Sequence, residues 1–156
     1  MIVKFEEDCV YLNKLPVPPS VNDYVNRRYP TKKKKEFLRE WSRCVKQTTR
    51  QERLQILKFL FEDVKKKNLF IKRKALATVK VEYMWATRLT TKDGKKMKIF
   101  DSSNRLKLIE DCLAKFIGID DCYFKEFNWT TVDYKEEGFC ARVYKPVFSG
   151  KIVLCH

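Results

Sequence analysis

The sequence predicts an α+β domain, a small mixed sheet with helices packed on one face. Three observations carry that prediction. Residues 75–89 alternate between apolar and polar over a long run. Residues 36–67 and 100–121 carry apolar stripes at helical spacing, and residues 124–145 hold two further β-rich runs. With 156 residues, 44% of them hydrophobic, the chain can bury a core of its own. It has no internal repeat, low-complexity tract or linker, so residues 1–156 read as one domain.

Charge narrows the choice of partner. Lys and Arg number 34 against 20 Asp and Glu, a formal net charge of +14. Such an excess on a small domain points to a polyanion, of which nucleic acid is the commonest. No long apolar run or lipidation signal points to a membrane. The opening residues MIVKFEEDCVYL lack a basic stretch followed by a long apolar one, so a cytoplasmic chain is expected. None of the six cysteines stands in a C-x-x-C pair, and the only histidine is His156. That argues against zinc and against any His-dependent base or triad. The thiols are expected to be free, several of them packed as small apolar residues.

Taken in order, the elements are as follows. A first strand is expected near 9–15, running into a proline-fixed turn at Leu15-Pro16-Val17-Pro18-Pro19-Ser20. Asn22 and Tyr24 follow it, either in a turn held by its own hydrogen bonds or in a loop that presents them to a substrate. Arg27, Arg28 and Lys32, Lys33, Lys34, Lys35 form a dense basic block around Tyr29. Residues 36–67 then read as helix. One stripe is Phe37, Trp41, Cys44 and Val45, and another is Leu54, Leu57, Phe61 and Val64. Thr48 and Thr49 mark a break between them. In 75–89, Ala77, Val79, Val81, Tyr83 and Trp85 share one face of a half-buried strand, with Lys80, Glu82 and Arg88 on the other. A polar segment with an Asp93-Gly94 turn and Lys95, Lys96 leads on to the central helix. Residues 124–134 and 139–145, joined by Lys135-Glu136-Glu137-Gly138, are expected to pair as an antiparallel hairpin. Beyond Pro146 a further extended or peripheral piece is expected.

The central helix carries the chemistry. Leu106, Ile109, Leu113, Phe116 and Ile117 recur at steps of three and four. Asp101, Ser102 and Ser103 stand where N-caps stand, and Gly118 follows as a C′ glycine would. Ser103, Lys107 and Asp111 are four apart on the polar flank, with Asn104 beside them, and Asp120-Asp121 follow the last turn. Acids without histidine in a basic protein suit Mg²⁺, which prefers hard oxygen ligands, one or two carboxylates plus water and phosphate. Such an ion can activate a water and stabilise charge on a phosphate, and Lys107 can share that task. Spacing alone equally allows an N-cap at Asp101, a Lys107–Asp111 pair and a turn at Asp120-Asp121.

The string D-S-S-N-R-L-K-L-I-E-D-C-L followed by G-I-D-D resembles the RusA family of Holliday-junction resolvases, whose pattern is D-x-D-N-x-x-K-x-x-x-D-x-L and a terminal D-D. Upstream, Pro16, Pro18, Pro19, Ser20, Asn22 and Tyr24 are similar to that family's P-x-P-P-S-x-N-x-Y motif. Together the motifs and the elements between and after them span most of the chain. The helical segment of about 34–68 is longer than the family leads one to expect and reads as partly inserted.

The resemblance implies a RusA-like homodimer. It implies an endodeoxyribonuclease, dependent on Mg²⁺ or Mn²⁺, that binds branched double-stranded DNA and nicks four-way junctions, as in recombination and repair. By position, Asp101 and Asp121 become metal-binding acids and Lys107 the essential lysine. Asp111 and Asp120 match further metal-side positions, and Asn104 a supporting one. Asn22, Tyr24, Arg27, Arg28, Lys32, Lys33, Lys34, Lys35, Lys72, Arg73, Lys74, Lys95 and Lys96 become DNA contacts. One departure stands out: Ser103 occupies the place of the second acid in D-x-D-N. A neutral hydroxyl there leaves open a catalytically weak or inactive DNA-binding relative.

Overall fold

A computed structural model of the protein describes residues 1–20, 32–61, 77–95 and 103–148. Among these residues there are three α-helices and a five-stranded mixed sheet, an α+β fold. The strands are β1 (Ile2–Phe5), β2 (Cys9–Asn13), β4 (Lys80–Thr87), β5 (Glu126–Asp133) and β6 (Gly138–Tyr144), in the spatial order β1-β2-β6-β4-β5. The helices are α1 (Lys32–Gln47), α2 (Arg50–Phe61) and α3 (Ser103–Ile117). A short pair, β3 (Ala77–Thr78) with β7 (Val147–Phe148), lies apart from the main sheet, and β7 is the extended piece expected beyond Pro146.

The register explains which side chains meet. Val81, Tyr83 and Trp85 of β4 stand opposite Val143, Ala141 and Phe139 of β6, and Val10 and Leu12 of β2 continue those rows. This face is buried and shares one core with Phe37 and Trp41 of α1, Ile56 and Leu60 of α2, and Ile109 and Leu113 of α3. Trp41 meets Phe116 edge-on with centroids 6.2 Å apart, which docks α1 onto α3. The opposite face carries Tyr11, Arg142, Glu82 and Lys80. Their charges are paired laterally, Lys80 with Glu82 at 3.3 Å and Arg142 with Glu6 at 3.2 Å.

Several expectations hold. The alternation of β4 puts Val81, Tyr83 and Trp85 in the core, and Val79 just before it is buried as well. The break at Thr48 and Thr49 is real. Thr49 accepts from the Glu52 N–H at 3.0 Å while its hydroxyl donates to the Glu52 carboxylate, a reciprocal cap that starts α2. Asp93-Gly94 form a turn in which Gly94 adopts φ 69°. Cys9, Cys112 and Cys140 are buried free thiols.

The strand expected near 9–15 is present as β2, and a strand that was not expected, β1, pairs with it in a hairpin around Glu6-Glu7-Asp8. Two expectations are corrected. Helix α1 begins at Lys32, so Lys32–Lys35 form its first turn and not a loop. The second concerns β5 and β6, which do not pair with each other. β4 lies between them, parallel to β5 and antiparallel to β6. The four residues 134–137 bridge two strand spacings, roughly 10 Å, which is within reach of an extended chain. The cause is α3: as the crossover from β4 it returns the chain parallel and delivers β5 to the far side of β4.

Candidate functional site

Helix α3 is the scaffold. Its apolar stripe is buried, with Ile109 and Leu113 wholly inaccessible and Ile117 nearly so. Gly118 ends it at φ 79°, a left-handed conformation that glycine adopts without a Cβ penalty. Gly118 and Ile119 N–H both donate to the Ala114 carbonyl, at 2.7 and 3.0 Å. The chain therefore doubles back, and Asp120 caps a short 3₁₀ turn at Asp121–Tyr123 by accepting from the Cys122 N–H at 3.0 Å. Tyr123 is buried, and its carbonyl accepts from the Val79 N–H at 2.8 Å, which pins the turn to the entry of β4.

This reversal returns Asp121 to the flank of the helix that Asp111 occupies. The two residues line the same cleft as Asp120. Asp121 is raised above the ordinary carboxylate range, first by Asp120 and then by Asp111. Asp120 is lowered by the Cys122 N–H. Asp111, Lys115, Asp120 and Asp121 line a shallow cleft of about 290 Å³, floored by Ala114 and Ile119.

Glu110 was not singled out in the sequence, yet it belongs to this cluster. It is half-buried, and burial, followed by the charges of Asp121 and Asp111, pushes its carboxyl up to about 7. The Tyr83 hydroxyl is buried with no hydrogen-bond partner among the described residues, and it is also pushed up, by burial and then by the Glu110 charge. The signal in the sequence was faint: Glu110 sits four residues from both Leu106 and Ala114, on the border of the apolar stripe.

A pH dependence follows. An acid raised from about 4.5 to about 7 by folding binds its proton more tightly in the native state. Stability therefore falls as pH rises through that window and levels off above it. In a chelator, the thermal midpoint should decline between pH 5 and 7, and Glu110→Gln should flatten that slope. An unchanged slope in the variant contradicts the assignment.

The N-terminal end of α3 forms a second feature. The Arg105 guanidinium donates to the Pro18 carbonyl at 2.8 Å and lies 4.5 Å over the Trp85 ring. Leu15 N–H donates to the Phe139 carbonyl at 3.0 Å. The proline motif is thus tied to both the sheet and the central helix. A cleft of about 440 Å³ opens there, lined by Val17, Pro19, Lys33, Phe37 and Arg105 together with acids that include Glu137. Arg105 was read only as part of a motif string; its role as the tie between the two motifs emerges from packing.

Of the residues singled out from the sequence, Asp111, Asp120 and Asp121 come together, and Lys107 is exposed on α3 one turn before Asp111. Ser103 and Asn104 open α3, whose 15 residues span roughly 22 Å. Lys32–Lys35 lie on α1. Lys95 is exposed in the turn after β4. Asp101, Asn22, Tyr24, Arg27, Arg28, Lys72, Arg73, Lys74 and Lys96 lie outside the described residues.

The donor set suits Mg²⁺ in kind, since paired carboxylates with room for water are what that ion takes. Although Asp111, Asp120 and Asp121 line one cleft, no group of three His, Cys, Asp or Glu side chains among the described residues is arranged so that it could hold a metal ion. Also among them, no helix is long and apolar enough to cross a membrane. No protein-family model matches the chain, and no curated protein matches it in sequence.

Proposed function

We propose that this protein is a Mg²⁺-dependent, structure-specific endonuclease that nicks branched DNA such as four-way junctions, acting as a RusA-like homodimer. The observation that carries the reading is the return of Asp121 to Asp111 across the Gly118 reversal. It joins two motif acids ten residues apart at one open cleft, on a helix that also bears Lys107. Asp111 and Asp121 would hold the ion, with Asp101 as the further acid that the motif supplies. Bound there, Mg²⁺ supplies a Lewis acid for the phosphate and a more acidic water. Asp120, anchored on the Cys122 N–H, orients Asp121. Lys107 offers a positive charge to the phosphate within one turn of Asp111.

Helix α1 supports the polyanion partner. Its first turn holds four lysines and no acid, although the helix dipole favours acids there. Charges placed against local helix energetics are expected where a ligand compensates for them. DNA phosphates would do so, and log affinity should fall by about 0.9 per log salt for each contact.

A second reading is a DNA-binding relative with weak or absent catalysis, and Ser103 is what favours it. A labelled four-way junction incubated with wild type and Ser103→Asp, with and without Mg²⁺, tests both. The enzyme reading expects metal-dependent nicking by wild type and faster nicking by Ser103→Asp. Binding without cutting, with cutting gained in Ser103→Asp, supports the second. Wild type that cuts no junction, flap or fork in Mg²⁺ or Mn²⁺ removes the first.

A further inference from the structure

The two edges of the main sheet are built differently. β1 has only four residues and carries Lys4, features that keep other strands away. β5 is eight residues long, EFNWTTVD, with no proline or lysine and charges only at its two ends. Its neighbour in the sheet is β4 alone, and among the described residues nothing pairs with its outer side. Phe127 lies in the same row as the buried Val81 and Val143, yet it is 47% exposed. A long open edge with an uncovered aromatic is a template for another strand.

The residue pattern selects the partner. With two copies of β5 antiparallel about a two-fold axis at Trp129, Lys125 of each copy faces Asp133 of the other. Asn128 faces Thr130, Phe127 faces Thr131, and the two Trp129 residues meet at the axis. No like charges are opposed. Shifting the register by one residue in either direction turns the two core faces to opposite sides, and in one direction it also sets Glu126 against Asp133, two acids. Asp133 has one carboxylate oxygen accepting from the Leu89 N–H at 2.9 Å, which fixes the side chain at the strand end and leaves its second oxygen for a cation.

We propose that β5 pairs with β5 of a second copy of this chain in that register, joining two sheets into one of ten strands and covering Phe127. This names the contact for the homodimer in the reading above and rests on that reading only for the dimer; the register itself comes from the sheet and the residues of β5. About eight new backbone hydrogen bonds form along the strands, and each Phe127 gains the diagonal Trp129 of the other copy as a neighbour.

Sedimentation of the full chain over a concentration series tests it. Wild type should be dimeric, and Phe127→Lys should raise the dimer dissociation constant about tenfold or more through the lost cross-strand pairs. Lys125→Asp should weaken the dimer as well, and Lys125→Asp combined with Asp133→Lys should restore it, with circular dichroism checking that each variant is folded. A wild-type monomer at every concentration overturns the proposal, as does a dimer that neither single variant weakens. Junction cleavage measured on the same samples is a separate readout, so a monomer that still cuts sinks the pairing and leaves the nuclease reading standing.

Discussion

Asp121→Asn should reduce Mg²⁺-dependent junction cleavage by about two to three orders of magnitude while leaving junction affinity nearly unchanged. The size is that of removing one preorganised charge from a phosphate-transfer site. Asparagine keeps the shape of the side chain but deletes the charge that would hold the ion. On the proposed reading binding should survive, because lysines spread over α1, α3 and the surrounding surface would hold the DNA, each phosphate contact contributing separately. Asp101→Asn should behave in the same way. A gel-based cleavage time course paired with a binding titration reads both quantities. If Asp121→Asn cuts at the wild-type rate, the acids beside α3 are a turn and a helix flank with no role in the chemistry.

Leu113→Ala should destabilise the fold by about 2–5 kcal/mol, the range for opening a cavity at a buried leucine. Leu113 is inaccessible to solvent and sits between the sheet and the helix that carries Lys107 and Asp111. For a domain of this size the thermal midpoint should drop by about 10 °C. Leu54→Ala, at a side chain half exposed on α2, should change stability by only about 0.5 kcal/mol. Thermal or urea denaturation of the two variants side by side checks the contrast. Equal effects would mean that the stripe on α3 is not the core.

Much of the architecture was legible residue by residue. The alternation of β4 announced a strand with one buried face, because side chains on a strand point to opposite sides. Thr48 and Thr49 announced a break between two helices, because a threonine hydroxyl can cap the helix that follows by accepting a backbone N–H, as Thr49 does from Glu52. Gly118 announced a helix end, because the left-handed position there costs a Cβ-bearing residue. The hairpin expectation failed for an equally plain reason. Period-two patterning tells that a segment is a strand and which face is buried; it does not tell which strand lies beside it. Only the crossover through α3 determines that β4 separates β5 from β6.

The candidate site divides along the same line. Chain composition and local spacing alone pointed to a basic α+β chain with a central amphipathic helix and acids just beyond its end. The tertiary structure decided that Asp121 comes back to Asp111, that Glu110 joins them, and that Arg105 ties the proline motif to the helix. Those are contacts between residues whose separation in sequence carries no information about distance. They exist because burying the stripe of α3 against β4 and β6 leaves the reversing chain one place to go, and that place lies along the acidic flank.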